Sequence, residues 1–210
     1  MVALVEALTA TTGSPPRLGV VVVSTRPGRV GPAVARWFRD AAERHGGFAI
    51  DLIDLAEVGL PFLDEPAHPR MRQYAHDHTR RWSALVDAVD AFAFVVPEYN
   101  YSMAAPLKNA LDYLHWEWHY KPAGFVSYGG VSAGTRGVQM AKEVVTALKM
   151  MPLPEAVSIP FVQRFLDEGR EIRPNEVMEG AARALLDELA RWEGALRGLR
   201  AGTRAALTAG

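Results

Sequence analysis

Three short segments carry side chains able to do chemistry, and each follows an apolar run of strand length. The first is Ser24-Thr25-Arg26-Pro27-Gly28-Arg29, after Leu18 to Val23. Its hydroxyls and guanidinia open into a helix start whose amides at Val30 and Gly31 lack intrahelical acceptors, a setting suited to a phosphate monoester. The second is Pro97-Glu98-Tyr99-Asn100-Tyr101-Ser102, after Ala91 to Val96. Two flat rings beside backbone amides, with a carboxylate and a carboxamide, suit a planar heterocycle with mixed donors and acceptors along one edge. The third runs from Ser127 to Gly137 and holds Gly129, Gly130, Gly134 and Gly137 with Ser132. Glycines allow a backbone to approach a ligand closely.

Each segment has a plainer reading. The arginines can be solvent-facing residues of a turn, and Glu98 and Asn100 can brace their own loop. Gly130-Val131-Ser132-Ala133-Gly134 also matches the Gly-x-Ser-x-Gly nucleophile elbow. That motif needs a histidine after the serine, yet His45, His68, His76, His78, His115 and His119 all precede Ser132. A metal site is not expected: His115 and His119 are not part of His-Glu-x-x-His, and no spacing marks a third ligand. There is no cysteine, which excludes disulfides, thiolate catalysis and cysteine-held metal clusters.

The elements that must position these loops follow from hydrophobic period. Strands are predicted at Leu18 to Val23, Phe48 to Asp54, Ala91 to Val96, about Gly124 to Tyr128, and Ala156 to Ile159. Helical spacing aligns Val30, Val34, Trp37, Phe38 and Ala41 in one stretch. It predicts further helices over about 72–89, from about Ala105, around Val138 to Leu148, and over about 175–199, while 55–70 reads as a loop. Five strands alternating with helices, joined by right-handed crossovers, give an α/β fold: a three-layer, flavodoxin-like sandwich with a five-stranded parallel sheet in order 2-1-3-4-5. In such a sheet the three equipped loops converge at the carboxyl ends of the strands. Residues 17–200 are expected to form one domain, with residues 1–16 a loose leader and 201–210 a loose tail.

Composition narrows the partners. A net charge of -1 and 22% charged residues over 210 residues nominate neither nucleic acid nor an anionic membrane. The opening segment lacks a basic flank and no run approaches membrane-spanning length, so a cytoplasmic location is expected.

With the three loops in view, the chain resembles the NADPH-dependent FMN reductase family, a flavodoxin-like group that includes quinone, azo and chromate reductases. The resemblance covers about residues 17–160 and is strongest at Pro97-Glu98-Tyr99-Asn100 and at Leu107-Lys108-Asn109-Ala110-Leu111-Asp112-Tyr113. It implies bound FMN, with Ser24, Arg26, Arg29 and the amides of Val30 and Gly31 on the phosphate. Pro97, Glu98, Tyr99 and Asn100 would lie along the flavin, and Ser127, Gly129, Gly130 and Ser132 would cover its other edge. Two positions depart from the family: Arg29 and Gly31 stand where many members have serine and asparagine, and Ala104-Ala105 where many have Pro-Gly.

The resemblance further implies a ping-pong oxidoreductase in which NAD(P)H reduces the flavin, leaves, and is followed by a small-molecule acceptor, with no side chain needed as acid or base. It implies a homodimer or homotetramer. The aromatic run His115-Trp116-Glu117-Trp118-His119-Tyr120 would suit an interface or, equally, a core. The rival within this fold is an FMN-binding electron carrier or redox-sensing module without significant turnover; the near-neutral charge favours the enzyme.

Overall fold

Residues 14–208 are described by a computed structural model. Strands β1 (Arg17–Val22), β2 (Ala49–Asp54), β3 (Ala91–Tyr99), β5 (Pro122–Tyr128) and β6 (Met151–Ile159) form a parallel sheet in order β2-β1-β3-β5-β6. Counted along the chain, these five strands are in the expected order 2-1-3-4-5. Strand β4 (Ser102–Met103) folds back antiparallel on the end of β3, pairing Glu98 with Met103 and Tyr99 with Ser102.

Strand period divides the core into two layers. Leu18, Val20, Val22, Ala91, Ala93 and Val95 face helices α1 (Gly31–His45) and α6 (Glu176–Thr208). Val21, Val23, Phe92, Phe94 and Val96 face α2 (Leu55–Val58), α3 (Asp77–Asp87), α4 (Ala105–Asp112) and α5 (Thr135–Ala147). Successive residues of a strand point to opposite faces, so buried central strands are apolar at every position.

Several boundaries move from the sequence expectation. Helix α3 starts at Asp77 rather than near Arg72, because residues 69–71 form a separate 3-10 turn ended by Arg72 at φ 51°. The expected loop at 55–70 holds the one-turn α2, capped by the Asp54 side chain on Ala56 N at 3.0 Å. Strand β6 begins at Met151, five residues early; it lies at the sheet edge, where Pro152 and Pro154 are tolerated. Helix α6 continues through Thr208, so residues 201–208 are helical rather than a loose tail. Ala201, Ala205, Ala206 and Leu207 are good helix formers, and Gly202 alone does not stop them. Of the expected leader, residues 1–13 lie outside the described residues. No helix among the described residues is long and apolar enough to cross a membrane.

The amino edge of the sheet is closed by paired polar groups. Arg200 and Glu193, 4% and 2% exposed, form an ion pair. Arg200 also donates to Tyr120 O at 3.2 Å and Asp90 Oδ1 at 3.4 Å, and the other Asp90 oxygen accepts from Arg17 N at 2.9 Å. The aromatic run sits at the same edge, and much of it is core of this chain. Trp118 packs against Phe92 and Trp82 with centroids 5.1 and 5.9 Å apart. His119 is buried against His115 and Trp116, and neither of its ring nitrogens has a partner.

Candidate active site

The first loop leaves β1 at the carboxyl edge and enters α1 at Gly31. Ser24 is fully buried, and its Oγ has no hydrogen-bond partner. The amides of Val30 and Gly31 likewise meet no protein acceptor among the described residues. A Cβ at Gly31 would overlap Ser24 Oγ and come within 2.8 Å of the Tyr128 hydroxyl, so this position admits only glycine without rearrangement. Burial pushes the Tyr128 phenol up to about 12, which keeps it protonated and able to donate.

The two arginines of this loop have different fates. Arg26 is exposed and makes no ion pair among the described residues. Arg29 is engaged: Nη1 and Nη2 grip the two oxygens of Asp54 at 2.6 and 2.7 Å, and Nη1 also donates to Ser24 O at 2.6 Å. Its hydrogen bonds to the Asp54 carboxylate raise the guanidinium above its ordinary value. Asp54 is the last residue of β2, directly beside Val22 in the sheet. Arg29, expected on the phosphate, is held in this structure by Asp54 and Ser24 O. Its fork clamps the loop to the neighbouring strand, bidentate geometry that a carboxylate favours.

In the second loop, Pro97 is the last β3 residue paired to β5, opposite Tyr128. Asn100 and Tyr101, at φ 51° and 70°, form the two-residue tip of the β3–β4 hairpin. Such tips require left-handed backbone at both positions; asparagine adopts it readily, a tyrosine at a cost of order 1–3 kcal/mol. Tyr99 and Tyr101 are exposed at the edge, 37% and 71%. The Glu98 side chain is only 5% exposed and turns toward α5. It accepts from Arg136 N at 3.1 Å and Nε at 2.6 Å, and the guanidinium lies 3.6 Å from the Tyr101 ring. Burial alone would raise the Glu98 carboxyl, but hydrogen bonds from Arg136 and Ser132 hold it below the usual carboxylate range.

The third loop is tied to both neighbours. Gly129 N donates to Ile159 O at 3.2 Å, and Gly130 O accepts from Phe161 N at 3.0 Å. Gly134 at φ 83° passes so close to Tyr128 that a Cβ would lie 2.8 Å from its carbonyl oxygen. Gly130 has open space around it. Ser132 is half-buried, and its hydroxyl helps hold the Glu98 carboxyl in its charged form. Ser127 lies in β5 and is fully buried; its hydroxyl reaches Val157 O at 3.4 Å and its Cβ faces Gly134 of the loop. The described histidines form no hydrogen bond to Ser132, and no group of three metal-binding side chains occurs among the described residues.

The structure thus gathers Ser24, Arg26, Val30, Gly31, Pro97 to Asn100, Gly129, Gly130 and Ser132 on one edge of the sheet. Sequence reasoning missed Asp54 and Arg136, the partners of Arg29 and Glu98, because such pairs span 25 and 38 residues. It also missed a cleft of about 490 Å³ beside Thr25, walled by 55–62 and the start of α4. The signal was present: Leu55, Leu60, Pro61 and Phe62 are apolar residues without helical or strand period after a strand.

A family model for NADPH-dependent FMN reductase matches residues 16–164. The chain is 38% identical over 149 residues to an NAD(P)H-dependent FMN reductase of Schizosaccharomyces pombe, covering 69% of this chain and 74% of that one. It is 36% identical over 156 residues to an NAD(P)H-dependent FMN reductase of Saccharomyces cerevisiae, covering 69% and 81%. Its fold is similar to that of a flavoenzyme NAD(P)H:(acceptor) oxidoreductase from Paracoccus denitrificans, at TM-score 0.67 and 19% identity, covering 85% of this chain and 97% of that chain. On the family model and these sequence relatives, with the fold in agreement, the chain belongs to the NADPH-dependent FMN reductase family.

Proposed function

We propose that this edge binds FMN and that the protein passes reducing equivalents from NAD(P)H to a small-molecule acceptor by a ping-pong route. The coarse activity, an FMN-dependent NAD(P)H oxidoreductase, follows from the family. The single observation that carries the site assignment is the first loop: a buried hydroxyl without partner at Ser24, open amides at Val30 and Gly31, and an uncommitted cation at Arg26. These are the donors that a phosphate monoester requires. The residues fit the cofactor on a second count, since Gly130 leaves open space beside the third loop, while Gly31 and Gly129 let the loops pack closely against Ser24, Tyr128 and Gly134.

When bound, FMN supplies the redox-active ring, and the side chains need not transfer protons. Arg26 and the α1 amides neutralise the phosphate. Arg29 keeps the loop in place through Asp54 and Ser24 O. Glu98 and Arg136 lock the hairpin against α5, which fixes the plane of the Tyr101 ring and the level of the Tyr99–Asn100 backbone. The open space around Gly130 leaves room on the other edge. In this route NAD(P)H would supply two electrons and a proton to the bound FMN and depart before the acceptor enters.

The purified protein should be yellow or become so with FMN. Arg26→Ala should weaken FMN by about 10–100-fold, as expected for one charge-assisted contact, and leave riboflavin nearly unaffected. Arg29→Ala should weaken both, because it loosens the loop rather than deleting a phosphate ligand. Isothermal titration with the two flavins checks this, and equal losses in Arg26→Ala would remove the loop assignment. Anaerobic stopped-flow mixing with NADH and NADPH separates the enzyme from the electron carrier, which would not be reduced at a useful rate.

A further inference from the structure

Between β6 and α6 the chain makes a short excursion that returns to the first loop. After a 3-10 turn at Val162–Phe165, Leu166 and Ile172 pair in a single antiparallel bridge, and residues 167–171 form the tip. The tip is firmly held. Asp167 N donates to Glu171 O at 3.0 Å, Asp167 Oδ1 accepts from Glu171 N at 2.9 Å, and Arg170 N donates to Asp167 O at 2.9 Å. Ile172 is buried in the core layer of α1 and α6, and Arg36 of α1 donates from Nε and Nη2 to the Glu171 carboxylate at 3.1 and 2.6 Å. Arg170 sits at φ 61°, a backbone that a residue other than glycine keeps only where its surroundings impose it. So held, its Nη2 donates to Gly28 O of the first loop at 3.2 Å.

That contact leaves the charge of Arg170 unspent. Asp167 and Glu171 are paired elsewhere, with Arg173 at 3.0 Å and Arg36 at 2.6 Å, and Glu168 on the same tip makes no ion pair with it. Among the described residues Arg170 therefore meets a neutral carbonyl and no carboxylate. The first loop, in turn, is short of charge for the ligand assigned to it. A phosphate monoester carries roughly −1.5 to −2 at pH 7. Arg29 is cancelled by Asp54, Arg26 supplies one positive charge, and the amino end of α1 adds about half of one. Gly28 lies two residues before the open Val30 amide, so a guanidinium resting on Gly28 O stands at the rim of the same loop. With five N–H groups it can keep that carbonyl and still donate to a phosphate oxygen.

We infer that Arg170 is the second cation of the phosphate site, brought to the first loop by the 166–172 hairpin and aimed by the Glu171–Arg36 pair. The inference rests on the FMN reading above. Arg170 lies outside residues 16–164, which match the family model, so membership of the family does not by itself supply this residue. Its sequence neighbours gave no sign of the role, because the contact spans 142 residues and depends on the hairpin's fold.

Isothermal titration of the flavin-free protein with FMN and with riboflavin tests this, using Arg170→Met, which keeps the length of the side chain and removes its charge. FMN should bind about tenfold more weakly to the variant, and riboflavin within about twofold of the wild type. Arg170→Lys should recover part of the FMN affinity, since it restores the charge without the fork. Phosphorus NMR of bound FMN gives a readout that a bracing role would not move. Two cations should hold the phosphate dianionic well below its ordinary titration, and Arg170→Met should shift that titration upward. Equal losses for the two flavins with an unchanged phosphate titration would make Arg170 a brace of Gly28 and overturn the inference, as would FMN binding unaltered in Arg170→Met. Failure of the wild-type protein to bind FMN sinks the functional reading instead, whereas normal wild-type binding beside an insensitive variant sinks the inference alone.

Discussion

The two edges of the sheet are opposites in how they treat polar groups. At the amino edge, Arg200, Glu193, Asp90 and Arg17 satisfy one another, and the Lys121 ammonium donates to Val86 O at 2.6 Å. At the carboxyl edge, Ser24 Oγ and the first α1 amides are left open. Both edges come from the same strands, so composition does not separate them. What separates them is whether donors meet acceptors within the chain. The closed edge holds the fold, and the open edge retains capacity for a ligand.

The comparison breaks first at the closed edge. Glu193→Ala leaves the Arg200 guanidinium buried with poorer partners and should destabilise the fold by about 3–5 kcal/mol without changing flavin affinity. Denaturant unfolding beside a flavin titration checks both halves, and a matching loss of flavin affinity would show the edges to be coupled.

A smaller effect comes from His119, the exception at the closed edge. Burial, with the charges of His115, Lys149 and Arg70, lowers its pKa from 6.5 to about 4. The folded value is the depressed one, so the unfolded chain binds the extra proton within that window and stability falls as pH falls through it. About 2 kcal/mol should be lost from this group between pH 7 and pH 5. His119→Phe should flatten the pH dependence of unfolding by that amount, and an unchanged slope would assign the loss elsewhere. The smallest effect sharpens the open edge: Gly130→Ala meets no neighbour and should alter stability by less than about 0.5 kcal/mol. Any larger consequence should appear in flavin affinity alone.

Much of this was legible in the chain. Apolar runs such as Leu18 to Val23 and Ala91 to Val96 located the buried strands, and their alternation with helical stretches led to the order of the sheet. The three loops were also legible, because hydroxyls, arginines, aromatic rings and glycines clustered at strand ends. Side-chain direction was harder. Arg29 looked identical to Arg26 in sequence, and only the placement of Asp54 beside Val22 reveals its different partner. Ser127 stood at the junction of strand and loop in the sequence, and only the structure shows its hydroxyl reaching the neighbouring strand at Val157 O. Within 55–70, residues 61–64 resisted periodicity because their order comes from Asn109 and Tyr113, about 50 residues away.

The Arg29–Asp54 clamp also bears on the thermodynamics of association. A loop fixed by its own ion pair and by α1 surrenders its conformational freedom when the chain folds, before any ligand arrives. Under the proposed function, binding would then require little further ordering of the protein, so more of each phosphate contact would be realised as affinity. Loosening the clamp would transfer that entropic cost to the binding step, and it would surface as a more unfavourable binding entropy at nearly unchanged contact enthalpy.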